Sequence, residues 1–411
     1  MSVKIASDES TLTIRKGSVL GGILLLSGSC IGAGMLALPI LTGFAGFLPT
    51  MVVFILCWLF MATTALLLLE ANMWFEDKPN LVTLSYKMLG HPGRICAWVN
   101  FLFLFYSLIV AYIVKGGELV QHGLQANLVY SLPSWTGASM ITIISAVFVY
   151  SGTRIVDHFN RISMVGLFVS YFCLLFVGID HFDAKLLTHV NWEYSLFILP
   201  FIVTSFGFHN MIPTLNDYLG GSSNKLLMTI ILGGLIPFVV FLLWIFKIQS
   251  IVPLEGDISL SNSFAKGEIS TETLSAYLQS SWITLVAAYF AFFAIVTSLL
   301  GQALSVFDFL SDGLKIPKNT RGRLVLCLLT FLPAFIFSRL FPNVFFLALE
   351  LVGGVAVMIL FGLLPVAMVW KGRYRMGMES KAIVPGGKPI LVIVASVAGS
   401  ILTYEILKHL G

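Results

Sequence analysis

The sequence predicts an all-α integral membrane protein that crosses the bilayer about eleven times and forms a single polytopic domain over residues 1–411. Three observations carry that expectation. Of 411 residues, 58% are hydrophobic and only 11% are charged, whereas a soluble domain carries about 25% charged residues to coat its surface. A window of about 20 residues, the length that spans a hydrocarbon core, marks eleven apolar segments along the chain. Lys and Arg are distributed unevenly between the loops, as in a membrane protein with a fixed orientation.

The windows are 19–41, 47–74, 95–120, 135–150, 162–178, 196–219, 226–251, 281–310, 324–340, 344–370 and 389–407. The first needs a check, because LSGSC, ending at Cys30, resembles a lipoprotein cleavage site. Ser27 stands where that signal wants a branched apolar residue, and the apolar run continues beyond Cys30. A cleaved signal has an apolar core of about 7–15 residues, so the segment is expected to be a permanent span. With residues 1–18 as a cytoplasmic tail, 18 of the 24 Lys and Arg fall on the cytoplasmic side. That bias places the N-terminus inside and, with an odd number of spans, the C-terminus outside. The longest outer loop, 252–279, carries Ser, Thr, Glu and Asp and is expected to fold over the outer mouth.

Composition and spacing exclude several classes. No loop holds a soluble domain of about 100 residues, and no GxxxxGK[ST] phosphate loop is present, which argues against an ATP-driven motor in the chain. Basic residues are scattered and form no stripe, so the lipid bilayer, and not nucleic acid, is the expected partner. The five cysteines, Cys30, Cys57, Cys96, Cys173 and Cys327, show neither a disulfide framework nor metal-ligand spacing. No cofactor is expected, and HExxH or a similar catalytic spacing is absent; an enzyme is not expected.

Two interruptions stand out. GSCIGAGM at 28–35 lies in the first window and SFGFHNMIP at 205–213 in the sixth. Irregular backbone at membrane depth is tolerated only where it is buried in protein or lines a cavity, and a matched pair of interrupted segments points to a transporter's substrate site. Unwound backbone at Ser29, Cys30, Gly32, Ala33 and Gly34 offers partial charges of both signs, which suits the carboxylate and ammonium of an amino acid. The other reading is a GxxxG helix-packing motif at Gly28 and Gly32. In the second interruption, Ser205 and Gly207 give backbone access, Phe206 and Phe208 give apolar walls, and His209 and Asn210 are polar. His209 is either a carrier of a coupling proton or a neutral ring bonded to backbone. Ser298, Gln302 and Ser305, with Thr297 adjacent, share one helix face, which serves either a cavity or helix–helix adhesion. Lys115 and Glu118 are three apart near the outer end of the third window, where they can pair as an anchor or gate. Glu350 is read as a proton carrier or, by preference, an outer-gate residue, and Glu70 is expected at the inner interface.

GSCIGAGMLALP, ALLLLE, AYIVKGGEL, TSFGFHNMIP and TSLLGQALSVFDFL together resemble the hydroxy/aromatic amino acid permease family, particularly its tyrosine-type bacterial members. The resemblance implies the leucine-transporter fold: two inverted five-helix repeats, here 19–180 and 196–370, plus an extra helix at 389–407. It implies proton-coupled uptake of tyrosine, phenylalanine or tryptophan across the bacterial cytoplasmic membrane, with spans one and six broken around the substrate. Tyr112, Phe206 or Phe208 would then pack on the ring, and Gln302 or Asn210 would bond a phenol hydroxyl. Departures are Cys30, where the family often has threonine, and Asn210, where glycine is common. Gln302, Ser305, Glu350 and Lys115 replace smaller or apolar residues. Sodium-coupled symport, with Thr297 and Ser298 as hydroxyl ligands, or exchange of another neutral amino acid, and a passive channel are the competing expectations.

Overall fold

A computed structural model describes residues 17–125, 132–133, 135–378 and 382–410. The predicted tail before residue 17, with Lys4, Arg15 and Lys16, lies outside the described residues, as does Lys381. Among the described residues the protein is all helical, with no strand. Among the described residues nine helices are long and apolar enough to cross a membrane, or ten if α1 (Val19–Cys30) and α2 (Gly34–Gly43), which meet at a 60° bend, count as one broken span. The fourth window forms α6 (Thr136–Ser151), an apolar helix of 16 residues, shorter than the other spans.

The chain runs back and forth between two ends, called here proximal, where α1 starts, and distal, where α2 stops. α3 (Phe47–Met73) descends to the short α4 (Leu81–Leu89), and α5 (His91–Gln125) climbs back. α7 spans Thr153–Phe176, so it starts nine residues before the apolar window, because its first turns carry polar residues that the hydropathy window rejects. The sixth span is α8 (Ser195–Ser205), a tight turn at Phe208–Met211 and α9 (Ile212–Tyr218). α10 (Ser223–Gln249) and α13 (Ser281–Leu314) are continuous. Between them the loop 252–279 folds into α11 (Leu260–Lys266) and α12 (Ser270–Leu278), both packed on α2 at the distal end. α14 (Thr320–Leu340) follows, and α17 (Gly387–Leu410) closes the chain.

The tenth window departs from a plain α-helix. α15 (Phe345–Leu351) runs into a π-helix over Val352–Leu363, and α16 (Leu364–Tyr374) completes the span. The Leu364 N–H reaches back five residues to Ile359 O. Three glycines bring this widened segment unusually close to its neighbours. A Cβ on Gly353 would sit 1.8 Å from Pro200 O of α8, one on Gly354 2.5 Å from Glu405 Cγ, and one on Gly362 2.8 Å from Ala398 Cβ. π segments are rare and concentrate at functional sites.

Apolar side chains cover the outside of the bundle, among them Ile143, Val165, Phe176 and Leu328, all exposed. Many polar groups are instead gathered inside, several of them paired, the arrangement lipid favours. Glu70 illustrates it. It is 1% exposed, in the last turn of α3 at the proximal end. Its carboxylate accepts two bonds from Arg373 at 2.6 Å and one from the Ile383 N–H at 2.8 Å. This fork ties α3, α16 and the lead-in to α17 together at the proximal end.

Candidate functional site

In the first interruption the helical ladder is rerouted. The Ile31 N–H still reaches Ser27 O at 3.1 Å, but the Ala33 N–H donates to Ser298 Oγ of α13 at 2.9 Å, and the Met35 N–H donates to Gly32 O. An unbroken helix would send those last two donors to Ser29 O and Ile31 O. Both carbonyls therefore lose their helical donors. Gly32 is needed here for space: a Cβ would lie 2.2 Å from Ser298 Oγ. In the second interruption Phe206 and Gly207 donate three residues back, to Val203 O and Thr204 O, and Phe208 donates only two back, to Phe206 O. That tightening ends α8. The two breaks face one another, since a Cβ on Gly34 would stand 3.7 Å from Ser205 Oγ.

Between them lies a cavity of about 790 Å³. Ser29, Cys30, Gly32, Ala33 and Gly34 line it from the first break, and Ser205, Gly207 and Asn210 from the second. Tyr112 of α5 and Thr297, Ser298, Gln302 and Ser305 of α13 contribute the facing wall. The cavity runs towards the proximal end, where Gly21, Tyr218, Asp157 and Arg161 border it. Asp157 and Arg161 pair at 3.0 Å and are both exposed there.

Other expected site residues stand elsewhere. Phe206 and Phe208 are fully buried and turned away from the cavity, into the packing with α3 and α10. Phe105, Tyr112 and Phe361 supply aromatic surface instead. A segment of six residues, 206–211, between two helix ends has no period from which orientation could be read, so this exchange was invisible in the sequence. His209 is also fully buried, stacked 4.5 Å from the Phe361 ring, with Nε2 2.8 Å from Thr64 Oγ1. It backs the cavity wall without lining it. Lys115 is buried and paired with Glu118, and its Nζ lies 3.6 Å from Glu272 of α12. Glu350 is paired with Lys408 of α17. These two clusters sit at the distal end, away from the cavity.

Four lining residues of α7, Asp157, Asn160, Arg161 and Met164, were missed. They recur at i, i+3, i+4 and i+7, a face that helical periodicity alone could have flagged. Thr204, Val352, Val357 and Phe361 were missed too. Phe361 and the two valines sit in an apolar run with no polar marker.

The cavity can exclude lipid, offer freed carbonyls and hydroxyls to a polar group, and enclose an aromatic ring. A multi-pass bundle with two opposed broken helices around such a cavity has the architecture of a membrane transporter. The chain belongs to the tryptophan/tyrosine permease family, whose sequence profile matches residues 15–404. It is similar to the tyrosine-specific transport system 1 of Haemophilus influenzae, at 31% identity over 93% of this chain and 95% of the relative. It is similar also to the tryptophan-specific transport protein of Shigella flexneri, at 28% identity over 93% and 94%. The tyrosine permease of Enterobacter agglomerans is 26% identical over 87% of this chain and 88% of its own. These relatives are named as transport proteins and permeases, not as enzymes.

Proposed function

We propose that the protein imports aromatic amino acids, tyrosine foremost, across the bacterial cytoplasmic membrane by proton symport with alternating access. The observation that carries this reading is the cavity of about 790 Å³ bounded by both helix breaks, within the range of small-molecule sites. In this reading the substrate's ammonium meets freed carbonyls of 29–31, and its carboxylate meets N–H groups at the breaks. Its ring lies against Phe105, Tyr112 and Phe361, in place of Phe206 and Phe208. Gln302 and Asn210 bond a ring hydroxyl or N–H. The fold is read as two inverted repeats plus α17, with eleven spans, the proximal end cytoplasmic and the C-terminus outside. The cavity then faces the cytoplasm. His209 stays a candidate for the coupling proton, acting through Thr64 and the cavity wall.

Sodium coupling is the second reading. The hydroxyls of Thr297 and Ser298 stand beside the break in α1, and small oxygen ligands of this kind suit a hard cation. Against it, the Thr297 hydroxyl donates to Phe293 O at 2.8 Å and Ser298 is engaged with Ala33.

One experiment separates them. Labelled tyrosine and tryptophan are offered to sodium-free proteoliposomes under an inward proton gradient, with and without an uncoupler. Uncoupler-sensitive accumulation supports the proposal; accumulation only after sodium is added overturns the coupling ion. No accumulation of either substrate with either ion overturns the transport assignment.

A further inference from the structure

Outside the cavity lining, the distal ends of α15 and α17 bring four ionisable side chains together. Glu405 and His409 are one turn apart on α17, and the Glu405 Oε1 lies 3.1 Å from His409 Nε2. Glu350 enters from α15 and pairs with Lys408. One oxygen or nitrogen from each of Glu350, Glu405 and His409 fits within 4.8 Å of the other two. Glu405 is fully buried, and its Oε2 has no hydrogen-bond partner. Gly354 packs directly on its Cγ, leaving the carboxylate little room to turn away.

An orphaned carboxylate oxygen in a buried site is costly unless a cation or donor meets it. Lys408 neutralises one of the two carboxylates, but the Glu405 Oε2 remains unmet. We propose that Glu350, Glu405 and His409 form a binding site for a divalent transition metal of the zinc, cobalt and nickel class, with Lys408 as its built-in competitor. Donor chemistry sets the class: one imidazole nitrogen with two carboxylates suits these ions, whereas calcium and magnesium prefer oxygen alone. Zinc bonds to such atoms at about 2.0–2.2 Å, so ligand atoms around it stand about 3.3–3.6 Å apart. The ligand atoms, within 4.8 Å of one another, must close by about 1–1.5 Å to meet it. His409 and Lys408 have side chains about one-third exposed, 36% and 33%. The ion therefore has a route from water, water can complete its coordination, and Lys408 can swing out. Bound there, the ion ties the last turn of α17 to α15, directly ahead of the π segment that lines the cavity. Sequence spacing gave no hint, because Glu350 is remote in the chain.

The test titrates zinc into the purified full-length protein in detergent, in competition with a chromophoric chelator. Cobalt, whose visible absorption reports its ligands, serves as a second probe. Lys408→Gln should tighten zinc binding at least tenfold by removing the competitor. In that background, Glu405→Gln and His409→Ala should each weaken it at least tenfold and change the cobalt spectrum. The two directions at one cluster distinguish loss of a ligand from general unfolding, and an unchanged melting temperature in the absence of metal verifies that each variant is folded. Zinc binding no tighter in Lys408→Gln than in the wild type overturns the proposal. So does binding that survives both ligand substitutions.

Discussion

Gly32→Ala is the sharpest perturbation of the first helix break. No positive φ demands glycine at this position, so backbone strain is not the issue. The obstacle is the Ser298 hydroxyl, 2.2 Å from where the new methyl would stand, while Ser298 Cβ is 3.6 Å away and Ala294 O 3.8 Å. The hydroxyl must leave, and with it goes the 2.9 Å bond from the Ala33 N–H. Overpacking costs about 1–3 kcal/mol, and the lost hydrogen bond about 0.5–1.5 kcal/mol net. Gly32→Ala should therefore cost about 2–4 kcal/mol. Ser298→Ala alone loses only the hydrogen bond, with a cost of about 1–3 kcal/mol if the Ala33 N–H stays dry. In the double variant the methyl meets only ordinary van der Waals neighbours. It should be no worse than Ser298→Ala, so the favourable coupling equals the Gly32→Ala cost of about 2–4 kcal/mol, overlapping the range for residues in contact. Melting temperature of the purified protein and initial uptake rate of labelled aromatic amino acid measure the four corners of this cycle. A double variant whose losses equal the sum of the two singles would refute the contact and the role assigned to Gly32.

Four further outcomes are expected. Replacing Arg373 with Ala should cost about 3–5 kcal/mol, the range for one partner of a buried pair, because Glu70 is left charged and 1% exposed; loss of thermostability checks it, and Glu70→Ala/Arg373→Ala should be milder than the singles summed. Lys115→Met should release α12 from α5, read as faster proteolysis within 252–279 and unchanged cleavage elsewhere. Phe361→Ala, which removes a cavity wall and the ring under His209, should raise the KM for aromatic substrates more than tenfold. Phe206→Leu, a buried and roughly volume-conserving change costing under about 1.5 kcal/mol, should leave KM within about twofold as a consequence of the position of Phe206 outside the cavity.

The sequence by itself determined the membrane character, the location of nearly every helix and the two interrupted spans. Those features depend on local composition: apolar runs of bilayer length, and Gly, Ser, His and Asn where such runs fail. The polar face of α13 was legible for the same reason, since a helical period places Ser298, Gln302 and Ser305 together. The loop 252–279 was also legible as a distal cover, from its polarity and length. Only the tertiary structure decided which side of the second break faces the cavity. It turned Phe206, Phe208 and His209 into the packing and brought Phe361 forward, because the irregular backbone there follows its neighbours and not a helical period. It alone paired Glu70 with Arg373 and Glu350 with Lys408, partners separated by long stretches of chain. The π-helix was likewise decided by packing. Gly353, Gly354 and Gly362 permit close approach, but whether a helix widens there depends on what presses against it.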